Sequence, residues 1–234
     1  SVASSAVHTL PNVTGDLIPG KIEGTNFTGG LLVGHATSGT LNDAQNNTGI
    51  GLAALDALTS GDQNTAVGNE AGTGITTGLR NVAVGDDALK DLSTNSFNTA
   101  VGATAGENTT GQRNTYLGFA AGDNITSGSG NVIIGSTVDA GSATGDRQLV
   151  IAGIDASTTT TWISGDSSGN LTFAADVTLG DDLHLDSDAA VLKFGDDGEI
   201  TLTHDADVGL KLKHTATADD KPIVLTLQTG ETDM

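Results

Sequence analysis

Apolar and polar positions recur along the chain with a period of 17 residues. The phrase Asn64–Gly68, in which Ala66 and Val67 lie between polar residues and a glycine, returns almost unchanged as Asn81–Gly85. An aliphatic residue precedes the glycine in every copy, and one of the six intervals is 16 residues long. The seven glycines in phase are Gly34, Gly51, Gly68, Gly85, Gly102, Gly118 and Gly135. A period of this length predicts the coils of a β-solenoid, each built from short strands and tight turns.

Two further columns, one of asparagine and one mainly of glycine, repeat with the same period. Asparagine lies three residues before the aliphatic position in six copies: Asn47, Asn64, Asn81, Asn98, Asn114 and Asn131. Because equivalent residues of stacked coils lie above one another, these side chains predict an amide ladder that satisfies backbone groups of the turns. A second column contains Gly61, Gly78, Asn95 and Gly128, and it predicts a turn with positive φ, since Gly and Asn tolerate that conformation.

The strand phrase is apolar on both of its faces. With a period of two, Thr65 and Val67 share one face and Ala66 takes the other. We expect Val67 and Val84 to fill the interior of the coil and the opposite face to contact another copy of the chain. The predicted oligomer face comprises Ala66, Ala83, Ala100, Tyr116 and Ile133. The pattern therefore predicts a homo-oligomer wound about a common axis.

Beyond Gly135 the pattern changes, and the 17-residue register is predicted to end. Short apolar runs with intervening glycines follow at intervals that are typical of an all-β meander or prism. We therefore predict an N-terminal connector (1–30), a solenoid domain (31–145) and a short-strand β domain (146–234). No segment predicts a helix with any strength.

Composition narrows the range of functions. Five Phe, one Trp and one Tyr are few for 234 residues, so the core must be narrow and built from small side chains. The formal net charge of −20 argues against a nucleic-acid partner. No apolar run approaches the length of a membrane span, so membrane insertion is not expected.

Candidate chemistry is sparse. The segment Phe194–Glu199 holds hard oxygen ligands on Asp196, Asp197 and Glu199, which calcium prefers, although Asp-Asp-Gly is also an ordinary turn sequence. No nucleophile motif, phosphate loop or thiol is present, so no catalytic residue and no cofactor other than calcium is predicted. Paired carboxylates for glycan hydrolysis stay open as an alternative.

The repeats carry a resemblance to two groups of proteins. The Asn-x-Ala-Val-Gly-x-x-Ala copies resemble the head repeats of trimeric autotransporter adhesins, and they look still more like arrays in marine bacteriophage tail-fibre and appendage proteins. The segment Leu183–Lys213 is similar to one that recurs in marine phage fibres. The likeness covers about 31–135 and 176–227, and it implies a β-roll within a homotrimer.

These observations together predict a structural shaft of a phage virion appendage. The chain would work as a homotrimer, would contact other virion or fibre proteins, and would present or support attachment to a glycan or protein receptor on the host surface. A trimeric adhesin shaft on a bacterial cell surface is the alternative, and a tailspike-type glycan hydrolase is a third reading.

Overall fold

The computed structural model describes residues 20–24, 27–33, 41–179, 183, 191–194, 200–205 and 208–214. The chain divides into two compact units, Ser1–Val177 and Thr178–Met234. The described residues form fifteen β-strands and no helix. The strands are β1 (Gly20–Gly24), β2 (Phe27–Val33), β3 (Ala44–Gln45), β4 (Thr48–Ile50), β5 (Thr65–Val67), β6 (Val82–Val84), β7 (Thr99–Val101), β8 (Thr115–Leu117), β9 (Val132–Ile134), β10 (Leu149–Asp155), β11 (Thr158–Gly165), β12 (Leu171–Phe173), β13 (Val191–Phe194), β14 (Ile200–Asp205) and β15 (Gly209–His214).

The first unit is a β-solenoid of about seven turns of roughly 17 residues, as the repeat predicts. Strand β2 pairs in parallel with β4, and every strand from β4 to β9 pairs in parallel with the next. The register follows the sequence period, so that Thr65 lies beside Val82 and Ala66 beside Ala83. Each strand is only three residues long in the repeats, and turns make up the rest of each coil.

The corner after each strand requires glycine for two reasons. Gly85 has a φ of +138°, in the region that side chains disfavour. A Cβ added to it would also lie 2.3 Å from the carbonyl oxygen of Gly102 in the next coil. The corner glycines at 51, 68, 102, 118 and 135 share this backbone conformation. Gly34 lies outside the described residues.

The positive φ predicted for the second glycine column is wrong. Gly61 and Gly78 do not have positive φ; a Cβ on Gly61 would instead lie 2.4 Å from the carbonyl oxygen of Gly78 in the next coil. The column is therefore small because the coils stack closely there. Asn95 lies in this column where the following coil is one residue shorter, and its side-chain amide donates a hydrogen bond to the carbonyl oxygen of Thr110.

Left-handed backbone also occurs at the fourth residue after five corner glycines, at Leu55, Gly72, Leu89, Gly106 and Gly122, and at two columns occupied mostly by residues other than glycine. One is the residue before each ladder position and the other is the second residue after each corner glycine. The first column is Asn46, Gln63, Arg80, Phe97, Arg113, Gly130 and Arg147, and the second is Ala53, Glu70, Asp87, Thr104, Ala120 and Thr137. The coil shape imposes these conformations, because they recur whatever the side chain is.

The coil interior is narrow and fully packed. Aliphatic side chains seven residues after the corner glycines, including Leu58 and Leu92, are completely buried. Tyr116 fills space that glycines in neighbouring coils leave, since a Cβ on Gly106 would lie 2.5 Å from its ring. The Tyr116 hydroxyl lies 2.8 Å from the Oγ1 atom of Thr109, so the threonine that replaces an aliphatic residue in this column partners the one tyrosine of the chain.

The solenoid extends further than predicted. Strand β10 pairs in parallel with β9, with Val150 beside Ile133, so the 17-residue register runs through Ile151 rather than ending at 145. Gln148 takes the place of the ladder asparagine and Ala152 that of the corner glycine, which disguises this last coil in the sequence. Strand β10 then continues into an antiparallel sheet with β11 and β12. At the other end, β1 pairs antiparallel with β2.

The described strands of the second unit form an antiparallel meander. Strand β14 lies between β13 and β15, and Leu192, Leu202 and Leu212 are neighbours across the three strands. This arrangement matches the predicted succession of short strands in a β-meander.

Candidate interaction surface

The two faces of the repeat strands are reversed relative to the prediction. The residues assigned to the oligomer face are fully buried inside the single chain: Ala66, Ala83, Ala100, Tyr116 and Ile133 each have 0% exposure. Val67, predicted to be core, is 37% exposed. The reason is space. A Cβ on Gly49 would lie 3.5 Å from the Cδ1 atom of Leu55 in the interior, and β4 to β7 place no residue larger than alanine there.

The outward face carries an unbroken row of apolar residues, which we call the apolar row. Cross-strand neighbours in register from β2 to β12 form it: Val33, Ile50, Val67, Val84, Val101, Leu117, Ile134, Ile151, Ile163 and Phe173. Ten strands at the usual spacing give the row a length of about 40 Å. Its members at Ile50, Leu117 and Phe173 are 43%, 48% and 47% exposed.

The apolar row crosses from the solenoid onto the antiparallel sheet without a break. Ile151 on β10 lies beside Ile163 on β11, which lies beside Phe173 on β12. A second row runs parallel to it, through Thr and Val two residues earlier on each coil strand from β4 to β9, and on through Leu149, Gly165 and Leu171. Neither row contains an acidic residue between β4 and β12, although the chain has 29 of them. The outward strand face is thus an uncharged surface on an acidic protein.

The ladder asparagines are structural and lie in the interior. The Oδ1 atom of Asn64 accepts hydrogen bonds from the backbone N–H and the side-chain amide of Asn81, both at 3.0 Å. The Asn81 amide also donates to the carbonyl oxygen of Asn95 at 3.0 Å. All six asparagines are fully buried. Gln148 ends the ladder, because its backbone N–H donates to the Oδ1 atom of Asn131 at 2.8 Å.

The proposed calcium ligands Asp196, Asp197 and Glu199 lie outside the described residues. Among the residues that the structure does describe, no three His, Cys, Asp or Glu side chains come together in a way that could hold a metal ion. Asp123 lies near Asp139 and Glu107, and burial followed by these neighbouring acidic groups raises the pKa of its carboxyl. No helix in the described part of the chain is long and apolar enough to span a membrane.

A cleft of about 410 Å³ lies between the last coil and the antiparallel sheet. Asp146 and Asp166 contribute its carboxylates. The Oδ1 atom of Asp166 accepts hydrogen bonds from the backbone N–H groups of Ser168 and Asn170, and its other oxygen accepts one from the Asn170 amide. These contacts with Asn170 and Ser168 hold the pKa of Asp166 below its usual value. Asp166 thus suits a turn, whereas an acid catalyst of glycan hydrolysis needs a raised pKa.

No family model, curated protein or solved structure matches the chain. The assignment of a surface therefore rests on the geometry alone. Sequence reasoning missed the apolar row as an outward surface and missed its continuation onto β11 and β12. One signal for the continuation was present, since Gln148–Leu149–Val150 follows Asn131–Val132–Ile133 after one further period.

Proposed function

We propose that the chain is a structural shaft of a phage virion appendage that works as a homotrimer. The observation that carries the proposal is the apolar row, which the described residues of the first unit leave uncovered along ten strands. Exposed apolar patches of this extent usually mark interaction sites, and a second and third copy of the chain supply matching surfaces without any other partner.

The stacked coils support a mechanical role. Backbone hydrogen bonds run from coil to coil, as from the N–H of Gly85 to the carbonyl oxygen of Val67 at 2.8 Å. The buried amide ladder adds side-chain bonds along the same direction. A structure that repeats its contacts at every coil gains length and stiffness with each repeat. Such a shaft suits the presentation of a receptor-binding element at a distance from the particle.

The oligomer is tested with the double variant Val67→Asp/Val101→Asp. We expect sedimentation velocity to show the wild-type chain at three times its mass and the variant as a monomer, because burying two carboxylates per chain is costly. The matched control is Leu52→Asp/Phe119→Asp, since both residues are exposed, at 63% and 56%, but lie outside the apolar row. A trimeric V67D/V101D protein, or a monomeric wild type, would contradict the proposal.

The proposed location of the shaft, on a virion appendage, is tested by antibody labelling in electron micrographs. Antibodies against the chain should decorate an appendage on phage particles from a culture that carries the gene. Labelling of bacterial cell surfaces without particles would support the adhesin alternative instead.

A further inference from the structure

One corner of the solenoid collects all the arginines of the chain. Arg80, Arg113 and Arg147 are the only three in the sequence, and each occupies the left-handed position before a ladder residue. Phe97 occupies the same position in the coil between Arg80 and Arg113. All four side chains are exposed. We call this set the arginine column.

Backbone contacts hold the arginine column in line. The N–H of Arg80 donates to the carbonyl oxygen of Asp62 at 2.9 Å, and that of Arg113 to Ser96 at 3.1 Å, so each corner is fixed to the coil before it. The guanidinium carbons of Arg80 and Arg113 lie 5.6 and 5.3 Å from the centre of the Phe97 ring. The ring therefore restrains both side chains through cation–π contacts.

These cations have no anionic partner within the described part of the chain. Lys90 shows the contrast, since its ammonium lies 2.8 Å from the Glu70 carboxylate and 3.0 Å from that of Asp87. In the column one residue before the arginine column, the only carboxylates are those of Asp62 and Asp146. Each of them accepts a hydrogen bond from a backbone N–H of the coil before it. The hydrogen bonds that described residues make with these guanidinium groups go to neutral acceptors, from Nε of Arg80 to the Gln63 side-chain oxygen at 2.6 Å and from Nε of Arg147 to the carbonyl oxygen of Ser167 at 3.3 Å. Guanidinium groups in a row without a carboxylate partner are unusual on a chain with a formal net charge of −20.

The turn itself does not need arginine. Asn46 and Gly130 occupy equivalent corners, and both residue types adopt left-handed backbone at lower cost than Arg or Phe. The choice of arginine at three corners thus requires a reason other than the shape of the coil.

We propose that the arginine column binds an anionic polysaccharide laid along the axis of the solenoid. Arg80 and Arg113 are two coils apart, as are Arg113 and Arg147, which places successive cations about 10 Å apart. A linear glycan with one acidic group in each disaccharide repeats its charge at a comparable distance. Guanidinium groups suit the carboxylate or sulfate groups of such a chain because they present paired N–H donors.

Other polyanions fit this spacing less well. Duplex DNA carries a charge about every 1.7 Å, so the surrounding carboxylates would repel it far more than three arginines attract it. In an extended acidic peptide, side chains about 10 Å apart are three residues apart and point to opposite sides. The spacing therefore favours a sparsely charged glycan.

The test measures binding of the full chain to hyaluronate, which has one carboxylate per disaccharide, by isothermal titration calorimetry. The double variant Arg80→Asn/Arg113→Asn keeps residues that tolerate the corner conformation, and we expect it to weaken binding at least tenfold with an unchanged melting temperature. Lys211→Gln/Lys213→Gln removes the same charge from exposed side chains of β15 and should bind like the wild type.

Three results would overturn the proposal. These are no binding of hyaluronate by the wild type, equal weakening in the lysine control, and equally tight binding of poly-glutamate, which would indicate attraction by charge alone. Neutral dextran serves as the uncharged reference and should not bind. The proposal does not depend on the trimer, because the arginine column lies within a single chain. Sedimentation of each variant is measured separately, so that a change in oligomeric state is distinguished from a loss of glycan binding.

Discussion

The solenoid coils and the antiparallel strands β10–β12 carry the same apolar row, but they differ in what lies behind it. Behind the coil strands lies a closed interior, in which Ala66 and Ala83 are fully buried. Strand β12 has no such interior, since Leu171, Thr172 and Phe173 are all exposed. A coil is therefore stable through its own packing, whereas we expect the antiparallel sheet to depend on association with other copies.

The largest effect that separates the two regions should come from glycine. Gly85→Ala combines a φ of +138° with a Cβ position 2.3 Å from a backbone oxygen, so we expect it to lower the free energy of unfolding by about 3 kcal/mol or more. Gly169→Ala, in the turn before β12, has a φ of +85° but nothing within 4 Å, and should cost about 1 kcal/mol. Denaturant unfolding followed by circular dichroism measures both. Equal losses would mean that close stacking of the coils contributes nothing.

The amide ladder should show the next largest difference. Asn81→Ala removes a buried side chain that donates to Asn64 and Asn95 and accepts from the N–H of Asn98, and we expect a loss of about 2–3 kcal/mol. Gln148→Ala, at the junction with the antiparallel sheet, is half-buried and should cost about 1 kcal/mol. The same unfolding measurement compares them. A larger loss of stability for Gln148→Ala would show that the contacts at the junction contribute more than those of the buried ladder.

A buried tyrosine and an exposed tryptophan extend the comparison to aromatic residues. Thr109→Val leaves the Tyr116 hydroxyl without its partner and should cost about 1–2 kcal/mol, while Thr109→Val/Tyr116→Phe should recover most of that loss. Trp162 in β11 is 55% exposed, so Trp162→Phe should change the free energy of unfolding of the V67D/V101D monomer by less than about 0.5 kcal/mol. Additive losses for Thr109 and Tyr116 would show that their hydroxyls do not interact.

The smallest effects concern pH, and they have opposite signs in the two regions. The raised pKa of Asp123 means that the folded state binds more protons than the unfolded state, so its contribution to stability falls as pH rises above the ordinary value of 3.8. Asp139→Asn removes a neighbouring charge and should raise neutral-pH stability by about 0.5 kcal/mol.

Asp166 behaves in the opposite way. Its lowered pKa stabilises the fold above 3.8, and this contribution is lost as pH falls through the folded-state value. Asp166→Asn should therefore lower the melting temperature at neutral pH and have no effect in acid. Melting curves between about pH 3 and about pH 7 test both variants. A fall in neutral-pH stability for Asp139→Asn would contradict the conclusion that Asp139 raises the pKa of Asp123.

The coil architecture could be predicted because its columns follow from the backbone. Gly68 and Asn64 recur at fixed positions since every coil repeats the same corner and the same buried turn. Position and period were therefore visible in one sequence. The last coil was missed because Gln148 and Ala152 replace the two residue types that identify a repeat.

The inside and outside of the strand could not be separated in this way. Val67 and Ala66 are both apolar, and alternation shows only that they lie on opposite faces. Which of them is buried depends on the volume that Leu55 and the residues equivalent to it occupy in the interior, since a Cβ on Gly49 would lie 3.5 Å from Leu55. That volume is a property of the folded coil, and so the larger side chain lies outside and the smaller one inside.

The central claim is that copies of the chain cover the apolar row. Sedimentation velocity of this chain is the direct test, with V67D/V101D and L52D/F119D measured alongside. We predict one species at three times the chain mass for the wild type and for L52D/F119D, and a folded monomer for V67D/V101D. A wild-type chain that sediments as a stable, folded monomer would contradict it.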